Sequence, residues 1–327
     1  MSDEIESWFK FCGDGGASKR GQQSPFEPPD PPPWRQFDNT ANNPRLNQGK
    51  NFVPPPGALK LINAAIYLRR PLLVTGKPGT GKTSLAYALA EELGLDLLRW
   101  NIGTRSTLRD ALYRYDAIAR VQDKSDNGKS PPQDIGNYMR LGPLGSALWS
   151  QKKKPKVLLV DEIDKSDIDL PNDLLHVLEE GRFEIPELRR IKELVGQPVV
   201  VETDNGEDAS IIDGQVICQE FPLVIMTSNG ERDFPPAFLR RCLRLRIEEP
   251  DLERLRRIVA GYLGEDMQQK YDSIIQTFLE QRQGKVLATD QLLNAIHLIS
   301  KGQIDQEQDL ESLKESLLPH IFTPLDE

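Results

Sequence analysis

Between residues 51 and 247, short apolar runs alternate with segments that repeat apolar residues at helical spacing. Apolar runs of this length are typical of buried strands, and intervening helices are typical of a parallel sheet covered on both faces. The pattern therefore predicts an α/β domain. We expect strands near residues 71–75, 96–101, 156–160, 221–227 and 243–247. We expect helices near residues 57–69, 82–93, 106–120, 142–150, 171–180 and 235–241.

Two segments of this region depart from simple alternation. Residues 123–134 are polar and contain proline and glycine, which predicts a loop. Residues 181–220 carry strand-like runs separated by the turn-forming pairs Asn205-Gly206 and Asp213-Gly214. Because such pairs are typical of tight turns between antiparallel strands, we expect a β-hairpin insertion near residues 181–220.

The two ends of the chain have other patterns. From residue 248 onward only helical spacing is found, with helices expected near 251–263, 268–282, 289–300 and 307–318. Residues 1–50 include the proline-rich run 25–34, which favours an extended polyproline II conformation. The sequence therefore predicts three parts: a flexible arm (1–50), an α/β domain (51–247) and a small all-α domain (248–327).

Composition and charge argue against several classes of protein and of binding site. The 327 residues carry a net charge of −9, and the residues from 248 onward hold most of it, which argues against broad binding to nucleic acid. No apolar run approaches the length of about 18 residues that a membrane span requires. The first residues are acidic and lack the pattern of a signal peptide, so we expect a cytoplasmic protein. Three distant cysteines and three histidines predict neither a disulfide framework nor a zinc site.

The segment Gly76–Thr83 fits the pattern G-x-x-x-x-G-K-[ST], with an apolar run before it and a helix-forming run after it. In such a loop, successive backbone N–H groups surround phosphate oxygens at the start of a helix. Lys82 is expected to reach the β- and γ-phosphates, and the Thr83 hydroxyl to ligate Mg²⁺. The residues expected to contact the nucleotide are Gly76, Pro78, Gly79, Thr80, Gly81, Lys82, Thr83 and Ser84.

A second motif predicts that the bound nucleotide is also hydrolysed. The apolar run at residues 157–160 ends in the adjacent carboxylates Asp161 and Glu162. In phosphate-loop enzymes an aspartate at this strand end holds Mg²⁺, and the next carboxylate can polarise an attacking water. We assign Asp161 to the metal and Glu162 to the water. The alternative is that the two residues only cap the following segment.

Three further residues suit a hydrolase. Asn229 follows the apolar run 221–227 and is a candidate for holding the attacking water or sensing the γ-phosphate; alternatively it only forms a turn. Arg240 and Arg241 end a short helix that begins with proline. A guanidinium presented to another subunit can stabilise the transition state. We favour Arg241 for this role with Arg240 as its partner, and an internal salt bridge is the alternative.

The order of these parts resembles an AAA+ ATPase: a phosphate loop, an Asp-Glu strand, Asn229, a paired arginine and then a helical domain. Within that superfamily the chain resembles the MoxR group, on the stretches Tyr138–Leu144 and Pro171–Phe183. The resemblance covers roughly residues 51–300 and leaves the arm outside.

The resemblance implies a P-loop NTPase core with an αβα parallel sheet and a small all-α lid. It also implies Walker A at Gly76–Thr83, Walker B at Asp161-Glu162, sensor 1 at Asn229, and an arginine finger at Arg241 or Arg240. ATP with Mg²⁺ would lie at the interfaces of a homo-oligomeric ring, usually of six subunits. MoxR proteins remodel partners, often ones with a von Willebrand factor A domain, and some belong to bacterial defence systems.

One position departs from the family pattern, and one further residue adds a weaker point of resemblance. The sensor 2 position, near the start of the third lid helix, is commonly Arg in the family, and the nearby basic residue here is Lys285. A solvated surface lysine is an equal interpretation of Lys285. Asn101, at the end of the second strand, resembles a residue that restrains the catalytic glutamate in some relatives.

Four functions remain open from the sequence. The leading hypothesis is an oligomeric ATPase that remodels or activates a protein partner in a chaperone-like way. A second is an ATP-gated scaffold that organises a multi-protein assembly with little turnover. A third, a loader acting on nucleic acid, is disfavoured by the acidic charge. A small-molecule kinase is disfavoured because Glu162, Asn229 and Arg241 together suit water as the acceptor.

Overall fold

The computed structural model describes residues 30–35, 49–127, 132–149, 154–195, 198–301 and 317–324. The chain divides into two compact units. The larger unit is formed by residues 48–249, and the helical unit by residues 1–47 together with 250–327. Within the described ranges, no helix combines the length and the hydropathy that crossing a bilayer requires.

The described part of the larger unit contains eleven strands. They are β1 (Leu72–Thr75), β2 (Leu97–Asn101), β3 (Tyr113–Tyr115), β4 (Met139–Leu141), β5 (Val157–Asp161), β6 (Arg182–Glu184), β7 (Val199–Glu202), β8 (Asp208–Ile211), β9 (Gln215–Ile217), β10 (Leu223–Ser228) and β11 (Leu243–Arg246).

Five of these strands form the central sheet, in the order β11-β1-β10-β5-β2, with every pair parallel. These are the five strands predicted from the apolar runs, and the α/β fold with a parallel sheet is confirmed. β1, β10 and β5 lie side by side, so their carboxyl ends bring three loops together at one edge. Those loops carry the phosphate-loop motif, Asn229 and the Asp161-Glu162 pair.

Successive residues of a strand point to opposite sides of the sheet. Both sets of side chains are buried here, so both faces of the sheet are covered. One apolar cluster includes Leu73, Leu158, Val160, Val224 and Met226. A second cluster includes Leu72, Val74, Val157, Leu159 and Ile225. The described α-helices of the larger unit are Ala58–Leu68, Lys82–Leu93, Leu108–Leu112, Ala117–Asn127, Pro143–Leu148, Leu170–Glu180, Pro186–Val195 and Pro236–Arg241.

The prediction of one helix over residues 106–120 was wrong. The segment forms two helices separated by β3, which pairs antiparallel with β4. Aromatic Tyr113 and Tyr115 suit a strand, and pairing with a distant segment outweighs local helical spacing. The loop expected over 123–134 was also partly wrong, since the second of these helices extends to Asn127 and a 3-10 helix occupies Pro132–Tyr138.

The segment 181–220 contains the hairpin that the turn signals predicted, together with two further strands and a helix. β7 and β8 pair antiparallel across Asn205-Gly206. They join β3 and β4 in a four-stranded sheet, while β6 pairs antiparallel with β9. The helix Pro186–Val195 was not expected from the sequence.

The helical unit contains the described helices Leu252–Leu263, Glu265–Lys270, Asp272–Gln281, Thr289–Lys301 and Leu318–Ile321. The predicted helix 268–282 is two helices that break at Tyr271, whose side chain is fully buried. Most of the predicted helix 307–318 lies outside the described residues. Eight residues of the predicted arm are described, 30–35 together with 49 and 50, and among them Trp34 packs on this unit.

Candidate nucleotide-binding site

The loop between β1 and the helix Lys82–Leu93 is held close to the backbone that follows β11. A Cβ on Gly76 would lie 2.4 Å from the carbonyl oxygen of Ile247, so no larger side chain fits there. Gly79 and Gly81 have φ angles of 74° and 90°, in the left-handed region that glycine adopts at no steric cost. The chain conformation of this loop therefore depends on its glycines.

Lys82 lies in the first turn of the helix and folds back over the loop. Its Nζ donates hydrogen bonds to the carbonyl oxygens of Gly76 and Lys77, both at 2.8 Å. The Thr80 hydroxyl donates to the same Lys77 carbonyl at 2.9 Å. The ammonium group is thereby positioned inside the loop by backbone oxygens.

The Asp161 carboxylate contacts three other side chains of the site. Its Oδ1 accepts hydrogen bonds from the hydroxyls of Thr83 at 2.9 Å and Thr227 at 2.7 Å. Its Oδ2 forms an ion pair with Arg99 at 2.5 Å. The Asp161 side chain is only 8% exposed. The structure thus brings Thr83 and Asp161 together, as the motifs predicted, and adds Thr227 and Arg99.

Glu162 has an unusual backbone. Its φ of 62° and ψ of 49° lie in the left-handed region, which costs a non-glycine residue about 1–2 kcal/mol. The Thr227 hydroxyl oxygen accepts a hydrogen bond from the Glu162 N–H at 2.8 Å. The Glu162 carboxylate is 42% exposed and pairs with Lys165 Nζ at 2.8 Å, a contact that raises the pKa of the lysine. Strain of this kind is concentrated at functional positions.

Asp164 ties the loop after β10 to the loop after β5. Its Oδ2 accepts hydrogen bonds from the backbone N–H groups of Asn229 at 2.9 Å and Glu231 at 3.2 Å. Burial lowers the pKa of Lys82, and the negative charges of Asp164, Asp161 and Glu162, in that order, oppose the shift.

Arg240 and Arg241 end the helix Pro236–Arg241, and the Arg70 guanidinium donates to both of their carbonyl oxygens. The Arg241 side chain pairs with the Glu179 carboxylate. Arg240 is exposed. None of their hydrogen bonds within the described ranges reaches the loop Gly76–Thr83.

The other predicted positions have less contact. Pro78 is exposed in the loop, and Ser84 is half-buried in the first helical turn. Asn101 lies opposite Asp161 in the β2–β5 register, with an exposed side chain. Lys285 is an exposed residue of the helical unit, so the alternative of a surface lysine stays open.

Sequence reasoning missed five residues that build the site: Arg99, Thr227, Asp164, Lys165 and Arg70. An available signal was Arg99, a single charge within the apolar run of β2. A charge in a half-buried strand needs a partner, and the neighbouring strand offered Asp161.

Comparisons with known proteins agree with this geometry. The family model described as the ATPase family associated with various cellular activities (AAA) matches residues 72–250. The chaperone protein ClpB of Porphyromonas gingivalis is 28% identical over 240 residues, 72% of this chain and 22% of ClpB. The ClpB of Chlamydia caviae is 29% identical over 184 residues, 53% of this chain and 19% of that protein.

A Lon protease of Leptospira interrogans is 34% identical over 112 residues, 33% of this chain and 11% of the protease. The chain spans about a fifth of the length of the ClpB relatives. The family match includes the phosphate loop, Asp161, Glu162 and Asn229, and it takes in more than half of the 327 residues. The chain therefore belongs to the AAA family of ATPases.

Proposed function

We propose that this AAA protein is a MoxR-like ATPase that hydrolyses ATP in an oligomeric ring and uses the energy to remodel or activate a protein partner. One observation carries the proposal. Asp161 and the phosphate-loop Thr83 are in direct hydrogen-bond contact, and Glu162 is held beside them in a strained conformation. This arrangement suits water-mediated cleavage of a nucleotide phosphate.

Nucleotide binding follows from the loop. Phosphate oxygens would meet the loop N–H groups and the Lys82 ammonium, which now contacts backbone carbonyls. The Thr83 hydroxyl donates a hydrogen bond to Asp161, so the lone pairs of its oxygen are left for Mg²⁺, which prefers such hard oxygen ligands. The donor set therefore fits the ion. When bound, Mg²⁺ offsets negative charge on the phosphates.

Glu162 is the proposed general base and Asn229 the proposed holder of the attacking water. The Glu162 carboxylate is partly exposed, so it can accept a proton from a water once it turns from Lys165. Asn229 is held through its main chain by the hydrogen bond from its backbone N–H to Asp164, and we propose that its side-chain amide contacts the ligand. A general base contributes about 10²–10⁴-fold in rate.

We propose that Arg241, or its neighbour Arg240, completes the site of the next subunit in a ring, usually of six. Arg241 pairs with Glu179 within its own chain, a contact between partly exposed groups that is worth about 1 kcal/mol or less. Such a contact is weak enough to exchange for a nucleotide phosphate. The relatives named chaperone proteins support work on protein partners, and a partner with a von Willebrand factor A domain is proposed on the MoxR resemblance.

A mixing experiment tests the shared site. Glu162→Gln lacks the base but keeps the arginine, whereas Arg241→Ala lacks the arginine but keeps the base. Each variant alone should turn over ATP slowly. Mixed in one assembly, they should regain activity, because some sites then combine an intact base with an intact arginine. Arg244→Ala removes an exposed arginine of β11 as the control. A mixture no more active than the variants alone would refute the shared site.

A second candidate function is an ATP-gated scaffold with little turnover. It is favoured by the two ion pairs that hold the proposed catalytic groups, Glu162 with Lys165 and Arg241 with Glu179. Tight ATP binding without phosphate release, at protein concentrations where assemblies form, would favour the scaffold over the ATPase that remodels a partner.

A further inference from the structure

A cleft of about 750 Å³ opens beyond the edge strand β2 of the central sheet. Backbone of residues 101–106 forms one wall, and β3 and β4 contribute to another. Its charged lining comprises four guanidinium groups and two carboxylates: Arg99, Arg105, Arg114, Arg140, Asp110 and Asp204. A local excess of positive charge stands out in a chain whose net charge is −9.

The placement of two of these arginines is costly to the fold. Arg114 in β3 and Arg140 in β4 lie directly opposite each other in the antiparallel register. Like charges in such a pair are destabilising. Arg140 is held by the carbonyl oxygens of Thr203 and Asp204, at 3.3 and 2.9 Å. Its nearest carboxylate, that of Glu202, is 3.9 Å away.

The remaining arginines also have unused donors. Within the described ranges, Arg105 and Arg114 are exposed and form no hydrogen bond or ion pair through their side chains, although the charge of Arg114 acts on the Asp204 carboxylate across the cleft. Arg99 pairs with Asp161 through one nitrogen, but its Nε is buried without a hydrogen-bond partner. Leaving a buried donor without an acceptor is unfavourable, so Asp161 does not satisfy the whole Arg99 guanidinium.

We propose that this arginine cleft binds a carboxylate-rich segment of a protein partner. The proposal rests on the proposed function for the partner's role as a client of the ATPase. Planar guanidinium groups match carboxylates through paired hydrogen bonds. A nucleic acid fits less well, because bases stack on exposed aromatic rings and the one aromatic residue of the lining, Trp100, is buried.

The test measures peptide binding to the full chain without nucleotide, so it does not depend on ATP turnover. A fluorescent oligoglutamate peptide is titrated by anisotropy, with an oligoglutamine peptide as the uncharged reference. The double variant Arg105→Gln, Arg114→Gln should weaken oligoglutamate binding by about tenfold or more per arginine. The matched control Arg190→Gln, Arg244→Gln removes the same charge at exposed positions outside the cleft. It should change binding by about twofold or less.

Equal weakening in the two double variants would overturn the proposal, since the binding would then follow net charge alone. So would equal binding of oligoglutamine. An oligo-deoxythymidine of matched charge that displaces the peptide at equal concentration would also overturn it, and would favour nucleic acid. If Glu162→Gln retained full ATPase activity while the peptide still bound at the cleft arginines, the proposed function would fail and the peptide site would stand.

Arg99 supplies a second readout, because it contacts both the cleft and Asp161. A divalent ion bound beside Asp161 would compete with Arg99 for that carboxylate and would leave the guanidinium to the peptide. We expect oligoglutamate to bind about fivefold or more tightly in the presence of ADP and Mg²⁺ than in their absence. Unchanged affinity would overturn the part assigned to Arg99.

Discussion

The ion pair between Arg99 and Asp161 gives a quantitative prediction about the larger unit. Asp161→Asn keeps an oxygen that can accept the hydroxyls of Thr83 and Thr227, but it removes the charge that faces Arg99. The guanidinium, whose side chain is 27% exposed, then lacks a counter-ion. The substitution should therefore destabilise the larger unit even though every neutral hydrogen bond can persist.

The size of the effect follows from the burial of the two partners. Removing one partner of a fully buried pair costs about 3–5 kcal/mol. The partial exposure of Arg99 lets water replace some of the loss, so we expect about 2–3 kcal/mol. Replacing Arg99 with Met in the same chain removes the unpaired charge as well. The double variant should be less destabilised than the sum of the single ones, by about 1–2 kcal/mol.

Hydrogen exchange of the β5 amides measures this directly, because β5 is a buried strand that is paired on both sides, with β10 and β2. Under conditions where opening is at equilibrium, Asp161→Asn should speed their exchange by about 30- to 150-fold. Arg182→Met is the control, since Arg182 pairs with Glu180 at the surface, and it should change the rates by about threefold or less. Wild-type exchange rates in Asp161→Asn would refute the reasoning.

Three further predictions concern backbone and packing. Glu162→Gly should be more stable than Glu162→Ala by about 1 kcal/mol in urea unfolding, because only glycine relieves the left-handed strain; a more stable alanine variant would contradict this. Gly76→Ala should abolish ATP binding in calorimetry through its clash with Ile247, whereas Gly103→Ala, with open space around it, should bind normally. Trp34→Ala should lower the stability of the helical unit by about 2 kcal/mol in thermal unfolding, since the indole packs on two rings and bonds an asparagine; an unchanged melting temperature would refute it.

The central sheet could be predicted from the sequence because its strands are buried on both faces. Continuous apolar runs such as 157–160 and 223–226 leave little choice of structure, and the glycine-rich loop follows β1 in sequence. Thr83 and Asp161 could be placed together because parallel strands end at a common edge. Local pattern and long-range packing agree in this part of the chain.

The rest depended on contacts between distant residues. β3 forms because Tyr113–Tyr115 pairs with Met139–Leu141, a pairing that no local period reports. The partner of Arg99 lies 62 positions away in sequence. Trp34 stood in a proline-rich segment without periodicity, yet its indole N–H donates to Asn294 Oδ1 at 3.1 Å. The spacing of apolar residues along the chain does not predict such long-range contacts.

The central claim is that the carboxylate of Glu162 activates water against ATP held by the Gly76–Thr83 loop. The most direct test is single-turnover ATP cleavage by Glu162→Gln, with nucleotide and Mg²⁺ affinity measured on the same sample. We expect unchanged affinity and a cleavage rate about 10²–10⁴-fold below wild type. Cleavage at the wild-type rate, with affinity also unchanged, would contradict it.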